Sequence, residues 1–259
     1  MFSKADAYER YMGRWSELLA PALITFADVR DGETVLDVGT GTGALARTLG
    51  ARFPSVRVTG VDSAGDYITY ANQKYGNDRV QYQVGDARQL EHSNGCFDKA
   101  LAALALNFVP NSSLAVREMT RVTKKGGVIA AAVWDYSGGM QMLRVFWDEA
   151  RALEPGVGAR DEANMPLCRE GALATLWKQE GLLNVQASPL MAALQFASFD
   201  DYWSPFLLGQ GPAGAHVASL SREQQAQLEQ RLRTRLLGEG PDRVIEMPSR
   251  AWAVRGNVP

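Results

Sequence analysis

A glycine-rich stretch and three spaced carboxylates carry the clearest chemistry in this chain. Val35-Leu36-Asp37-Val38-Gly39-Thr40-Gly41-Thr42-Gly43 begins as a short apolar run and leads into a helical pattern. Glycines permit a tight strand-to-helix turn and let the backbone approach a ligand closely. The helix that follows presents free N–H groups and a positive dipole end. Such a loop alone is weak evidence, because Gly39, Gly41 and Ala44 also satisfy a dinucleotide fingerprint. Asp37 separates the readings: beside the loop, its carboxylate can pair with a cationic amino group, whereas a pyrophosphate gains nothing from it. A second run ends Gly60-Val61-Asp62, putting an acid where it can accept both hydroxyls of a ribose. A third ends Gly85-Asp86-Ala87. Singly, each acid could be a turn or helix cap. Together, in this order, they suit an amino acid, a ribose and an adenine amine, the parts of S-adenosylmethionine.

Those groups must be held by a sheet. Apolar runs at Thr34 to Val38, Val56 to Val61, Val80 to Val84, Phe97 to Leu104 and Val128 to Trp134 are nearly continuous, as in parallel strands buried on both faces. Helical patterns at Ala44 to Phe53, Ala64 to Tyr75 and Ser112 to Lys124 alternate with them, the last stopping at Gly126-Gly127. This alternation predicts an α/β fold with a doubly wound, mostly parallel sheet. Residues 1–30 form a helical N-terminal segment with Tyr8, Tyr11, Trp15, Leu18 and Leu19 on one apolar face. Residues 169–182 suggest a further helix, and Leu183 to Phe196 and Val244 to Val254 two more strands. Between those strands, residues 198–243 form an inserted helical cap. Its last helix opens on a capping box at Ser221 and Gln224 and stops at Gly238.

Over residues 34–135 the chain strongly resembles the class I, Rossmann-like S-adenosylmethionine-dependent methyltransferases of the small-molecule type. The likeness is looser over 169–196 and 244–256. Phe97-Asp98 and Glu118-Met119-Thr120-Arg121-Val122 before Gly126-Gly127 are further matches. The resemblance implies a seven-stranded sheet in one domain, residues 31–197 and 244–259, that binds S-adenosylmethionine and releases S-adenosylhomocysteine. It implies that Gly39, Thr40, Gly41 and Gly43 hold the methionine moiety with Asp37 near its ammonium. Asp62, with Ser63, would bind the ribose, Asp86 and Ala87 would read adenine, and Ala102-Ala103 would flank the sulfonium. Tyr67 stands where Met is common, so its stacking on the cofactor is an extrapolation. Thr40 replaces a small Cys or Ala, and Lys124-Lys125 a Lys-Pro.

Methyl transfer from a sulfonium is an in-line displacement that needs alignment and a dry site more than acid–base chemistry. A hydroxyl acceptor still needs a base. Candidates are His216 in the inserted cap, Asp135 after the fifth strand, and Tyr11. Each also has a plain structural reading as a solvated, capping or core residue. Tyr8, Tyr11, Trp15, Asn107, Trp134, Tyr202, Trp203 and Phe206 are candidate walls of an apolar pocket, which favours a small, fairly hydrophobic acceptor.

Composition narrows the alternatives. In 259 residues, 27 basic side chains balance 29 acidic ones, which gives no support to a nucleic-acid or anionic-membrane partner. Leu106-Asn107-Phe108-Val109-Pro110 lacks the double proline of enzymes that methylate base amines, and Arg231, Arg233 and Arg235 scatter around a helix. Cys96 and Cys168 have no neighbours at metal-ligand spacing, so no metal is expected, and a reducing, cytoplasmic setting fits. The N-terminus is charged at once, and the apolar stretch Ala100 to Val109 is short for a membrane span. Two other functions stay open: an NAD-dependent oxidoreductase, and a non-catalytic protein that binds the same cofactor for regulation or assembly.

Overall fold

In the computed structural model, which describes residues 4–259, the apolar runs assemble into one seven-stranded sheet of order β3-β2-β1-β4-β5-β7-β6. The strands are β1 (Thr34–Val38), β2 (Arg57–Asp62), β3 (Val80–Val84), β4 (Phe97–Ala103), β5 (Thr123–Trp134), β6 (Leu183–Phe196) and β7 (Ile245–Asn257). β1 to β5 run parallel, and β7 is antiparallel to both β5 and β6. Val35, Leu36, Ala100, Leu101, Ala102 and Ile129 to Val133 are fully buried, because helices cover both faces of the central strands. The strand order reverses between β1 and β4. Neighbouring loops there leave in opposite directions and open a crevice at the carboxyl edge.

The helices are α1 (Lys4–Tyr8), α2 (Arg14–Phe26), α3 (Ala44–Arg52), α4 (Gly65–Tyr75), α5 (Ser112–Val122), α6 (Gln141–Leu153), α7 (Ala172–Gln179), α8 (Phe199–Trp203), α9 (Gly211–Ser219) and α10 (Arg222–Leu237). α1 joins α2 through a π-turn at Glu9–Gly13. α5 is shorter than its sequence pattern suggests, since Thr123 leaves the helix to pair with Phe97 across β4 and β5. α6 was not legible as an element, although it buries Met142, Leu143, Phe146, Trp147 and Ala150 along one face. The expected capping box of α10 is present in full at Ser221 and Gln224.

The inserted segment shares a continuous apolar core with the sheet. Phe206 stacks on Phe146 at 4.6 Å between ring centroids and meets Tyr11 edge-on at 5.5 Å. Tyr202 donates to the Met142 carbonyl at 3.0 Å. Arg14 of α2 bonds Asp201 at 2.8 Å, tying the N-terminal segment to α8. Arg231 and Arg235 of α10 pair with Glu149 of α6, and Arg235 also pairs with Asp148. Arg231 and Arg235, scattered around their helix in the sequence, thus hold α10 to α6.

Asp135, the residue after β5, is enclosed. It accepts from Arg250 of β7 at 2.6 Å, from the Ser137 hydroxyl, and from the Ser137 and Gly138 N–H groups. Burial favours its neutral form, but the hydrogen bonds and the guanidinium outweigh that and hold the acid below the usual carboxylate range. Asp135→Asn is therefore expected to cost about 3 kcal/mol in urea unfolding at pH 7. Most of that difference disappears as the pH falls through the depressed titration range, where the native carboxylate is protonated too.

Candidate active site

The loop after β1 is shaped by left-handed glycines. Gly39 has φ +70°, and a Cβ there would sit 2.3 Å from that of Ala105, so the β1 and β4 loops touch only because the methyl is absent. The N–H groups of Gly39 and Thr40 donate to the Val61 carbonyl at 2.8 and 3.0 Å, which locks this loop to the end of β2.

Asp37 is fully buried beneath the loop. One oxygen accepts from the Thr40 hydroxyl at 2.6 Å and the Ala46 N–H at 3.2 Å, while Oδ1 has no hydrogen-bond partner. Burial, only partly offset by those two donors, pushes the carboxyl up to about 7. Asp62 takes one backbone bond on each oxygen, from Gly41 at 2.9 Å and Ala64 at 2.8 Å, which fixes its plane and leaves lone pairs for hydroxyl donors. Asp86 is already paired with a cation. Arg88 grips both oxygens, at 2.6 Å from Nη2 and 3.0 and 3.1 Å from Nε. The guanidinium holds that acid below its ordinary range.

The three acids line one cavity of about 320 Å³ with Gly39, Thr40, Gly41, Ser63, Tyr67, Ala87 and Ala103. Ala102 and Gly43 lie outside its wall. Ala102 is sealed inside β4, and Leu104 and Ala105 line the cavity next to Ala103. Gly43 instead caps α3, with a φ of +93°. Leu104 adopts φ +60°, a strained conformation for a branched side chain, at the crevice where loops diverge. The N-terminal segment closes the far side through Tyr8 and Ser16. Glu9 accepts a bond from Thr42 of the glycine loop, and Arg47 of α3 pairs with Glu17 at 2.8 Å.

A second cavity of about 150 Å³ shares Tyr8, Ser16, Tyr67, Leu104 and Phe108 with the first. Of the expected pocket residues, Tyr8, Tyr11 and Trp134 line it. The others do not. Trp15 packs on Phe196 at 5.1 Å, Tyr202, Trp203 and Phe206 form the aromatic core behind the wall, and the Asn107 amide faces the Met165 sulfur at 3.4 Å. His216, expected near the mouth, is buried against Trp147 and Phe146 with Arg160 3.3 Å from Nδ1, and burial lowers its affinity for a proton. Neither His216 nor Asp135 borders either cavity, because core packing claims one and the Arg250 pair the other. Sequence reasoning missed Glu162, Tyr136 and Leu143. They belong to the stretch 136–164, which showed no strand or clear helical pattern when read as sequence.

Comparisons agree with this geometry. Residues 36–131 match a family described as a methyltransferase domain. The sterol 24-C-methyltransferase of Eremothecium gossypii is 33% identical over 138 residues, 51% of this chain and 35% of that protein. The malonyl-[acyl-carrier protein] O-methyltransferase of Geobacter sulfurreducens is 30% identical over 175 residues, 64% of each chain. Among solved structures, phosphoethanolamine N-methyltransferase 2 of Haemonchus contortus in complex with S-adenosyl-L-methionine superposes with a TM-score of 0.59 at 17% identity. That match covers 98% of this chain and 56% of the other. The match to the methyltransferase-domain family is confined to residues 36–131, and the likeness to the solved structure is one of fold. The chain spans less than two thirds of the length of these curated relatives, from 35% to 64%. No helix among the described residues is long and apolar enough to cross a membrane.

The cofactor's cationic end fits what the site lacks. The bare Oδ1 of Asp37 is a buried acceptor with no donor, and an α-ammonium supplies one. The unfolded carboxyl ionises near 3.8 and the folded one near 7, so between those values the folded state keeps the extra proton. Stability from this group is full at low pH and drains as the pH climbs to 7. Asp37→Asn is therefore expected to raise the thermal midpoint of ligand-free protein at pH 8. In calorimetry at the same pH it is expected to weaken S-adenosylhomocysteine at least about tenfold, the loss of a charged hydrogen bond.

Proposed function

We propose that this protein transfers a methyl group from S-adenosylmethionine to a small, largely apolar acceptor. The observation that carries the reading is the unpartnered buried oxygen of Asp37, one loop away from an Asp62 whose two oxygens are fixed by backbone N–H groups. When bound, the cofactor supplies an electrophilic methyl carbon on a sulfonium. Everything else falls to this chain. Asp37 holds the ammonium, and the loop from Gly39 to Gly41 lies along the amino-acid moiety. Asp62 accepts from the ribose hydroxyls, and the Asp86–Arg88 pair with Ala87 borders the adenine end.

Ala103, Leu104 and Ala105 form an apolar wall between the strand end and the cavity. Tyr8, Tyr67, Leu104 and Phe108 border both cavities, so the acceptor in the second meets the cofactor across their junction. Excluding water there leaves a charge-dispersing displacement little solvation to lose. The cap formed by α1, α2 and residues 198–243 serves as the acceptor's cover. The relatives named above carry methyltransferase names for a sterol and a carrier-bound malonyl group, which supports small-molecule transfer while leaving the acceptor to this chain's own cavity. Two free cysteines, one exposed and one buried, suit a cytoplasmic enzyme.

Parallel calorimetric titrations with S-adenosylmethionine, S-adenosylhomocysteine and NAD test the reading. Micromolar binding of the two adenosyl sulfur ligands and none of NAD is expected, with both signals abolished in Asp62→Ala. Binding of NAD alone would overturn it in favour of a dehydrogenase.

A further inference from the structure

Glu162 is a carboxylic acid in a chamber lined mostly by aromatic and apolar side chains, with Ser16, Gln210 and tyrosines as the other polar residues of the wall. It is 3% exposed and lines the second cavity among Tyr11, Met12, Trp134, Tyr136 and Leu143. Its Oε2 accepts from the Trp147 indole N–H, and the Ala213 backbone N–H also reaches the carboxylate. The cations nearby are committed elsewhere: Arg144 and Arg151 both pair with its neighbour Asp161. Among the described residues no ion pair reaches Glu162. Three N–H donors fix its position, those of the Trp147 indole, the Ala213 backbone and the backbone of Glu162 itself. None is a cation, and with about four acceptor sites on a carboxylate some capacity remains.

Two further polar atoms in the same wall lack partners. The Tyr11 hydroxyl and the Trp134 indole N–H are buried and bond to nothing, although both residues are at most 3% exposed. Buried donors are rarely left bare in a folded protein unless a ligand or water completes them. One acceptor site and two donors around an apolar space describe a ligand with a single hydroxyl on a hydrocarbon frame. Size adds a second constraint. The chamber holds about 150 Å³, and an apolar cavity of roughly that volume accommodates benzene.

We propose that the second chamber takes a hydroxylated acceptor built on a single ring, and that Glu162 receives the hydroxyl proton as the ether bond forms. This rests on the methyl-transfer reading above. As the acceptor oxygen bonds the methyl carbon, its proton passes to the Glu162 carboxylate and the electron pair of the broken carbon–sulfur bond stays on sulfur. Burial raises the Glu162 carboxyl above its ordinary value, which makes the carboxylate a better proton acceptor than an exposed glutamate. Tyr11 and Trp134 orient the ring through its oxygen.

The test is calorimetry of p-cresol, toluene and 2-naphthol against the protein saturated with S-adenosylhomocysteine. p-Cresol is expected to bind about tenfold tighter than toluene, the worth of one hydrogen bond to a charged group. 2-Naphthol, too large for the chamber, is expected to bind more weakly than p-cresol. Glu162→Gln removes most of the preference for p-cresol and leaves S-adenosylhomocysteine affinity unchanged. Tyr11→Phe removes an unsatisfied hydroxyl without leaving a new one, so it keeps the test open if Glu162→Gln fails to fold; it lowers p-cresol affinity about threefold. Equal binding of toluene and p-cresol, tighter binding of 2-naphthol, or an undiminished preference in both variants would overturn the proposal. If S-adenosylhomocysteine itself does not bind, the cofactor reading fails, and p-cresol against toluene on the unliganded protein still decides the chamber's preference.

Discussion

Burying Asp37 at the end of the central strand removes a carboxylate from water without giving it a cation, and an uncompensated ion of that kind costs several kcal/mol. The protein meets the cost in part. Thr40 and Ala46 satisfy one oxygen, and the acid keeps its proton to higher pH than usual. The rest of the crevice follows from that constraint. Asp37 can stay dry only because the glycine loop folds over it, and the loop can fold so tightly only because Gly39 brings no side chain to the Ala105 methyl. Asp62 then fixes the same loop from the next strand by accepting the Gly41 N–H. A charge, a close backbone approach and a cross-strand clamp thus depend on one another.

Around this frame the remaining elements act as walls. The aromatic stack of Phe146, Phe206 and Tyr11 joins α6, the inserted segment and the N-terminal segment into one body, each ring burying apolar area that a loop alone could not. That rigidity sets the shape of the second cavity, whose lining comes from segments far apart in sequence. Strain at Leu104 falls where both cavities meet, a position at which the surrounding core over-determines the backbone.

The sheet and the gathering of the three acids at one crevice were largely readable in advance because their signals are local. A strand buried on both faces writes an unbroken apolar run, and Asp37, Asp62 and Asp86 each sit a fixed step from the end of such a run. The second cavity was not, because it is assembled by tertiary contact. Glu162 follows another acid in a polar stretch and reads as solvated; in the fold Arg144 and Arg151 pair with Asp161, while Glu162 is buried against the Trp147 indole. Tyr202 and Phe206 carry the same aromatic signature as Tyr11, yet packing sends them to the core and leaves Tyr11 on the wall. Asp135 directly follows its strand, much as Asp62 closes its own, and a long-range partner, Arg250, decides its role. The π-turn and left-handed Leu104 have no sequence signature at all.

The division of the two chambers has a consequence for redesign. Tyr8, Ser16, Tyr67, Leu104 and Phe108 are common property, so changing any of them reshapes both chambers together. Leu143 on α6 and Gln210 to Pro212 at the start of α9 touch the second chamber and not the first. A library restricted to those positions can enlarge or reshape the second chamber while the wall of the first stays as it is. The chain thereby separates an interchangeable specificity module from a fixed one within a single hydrophobic core.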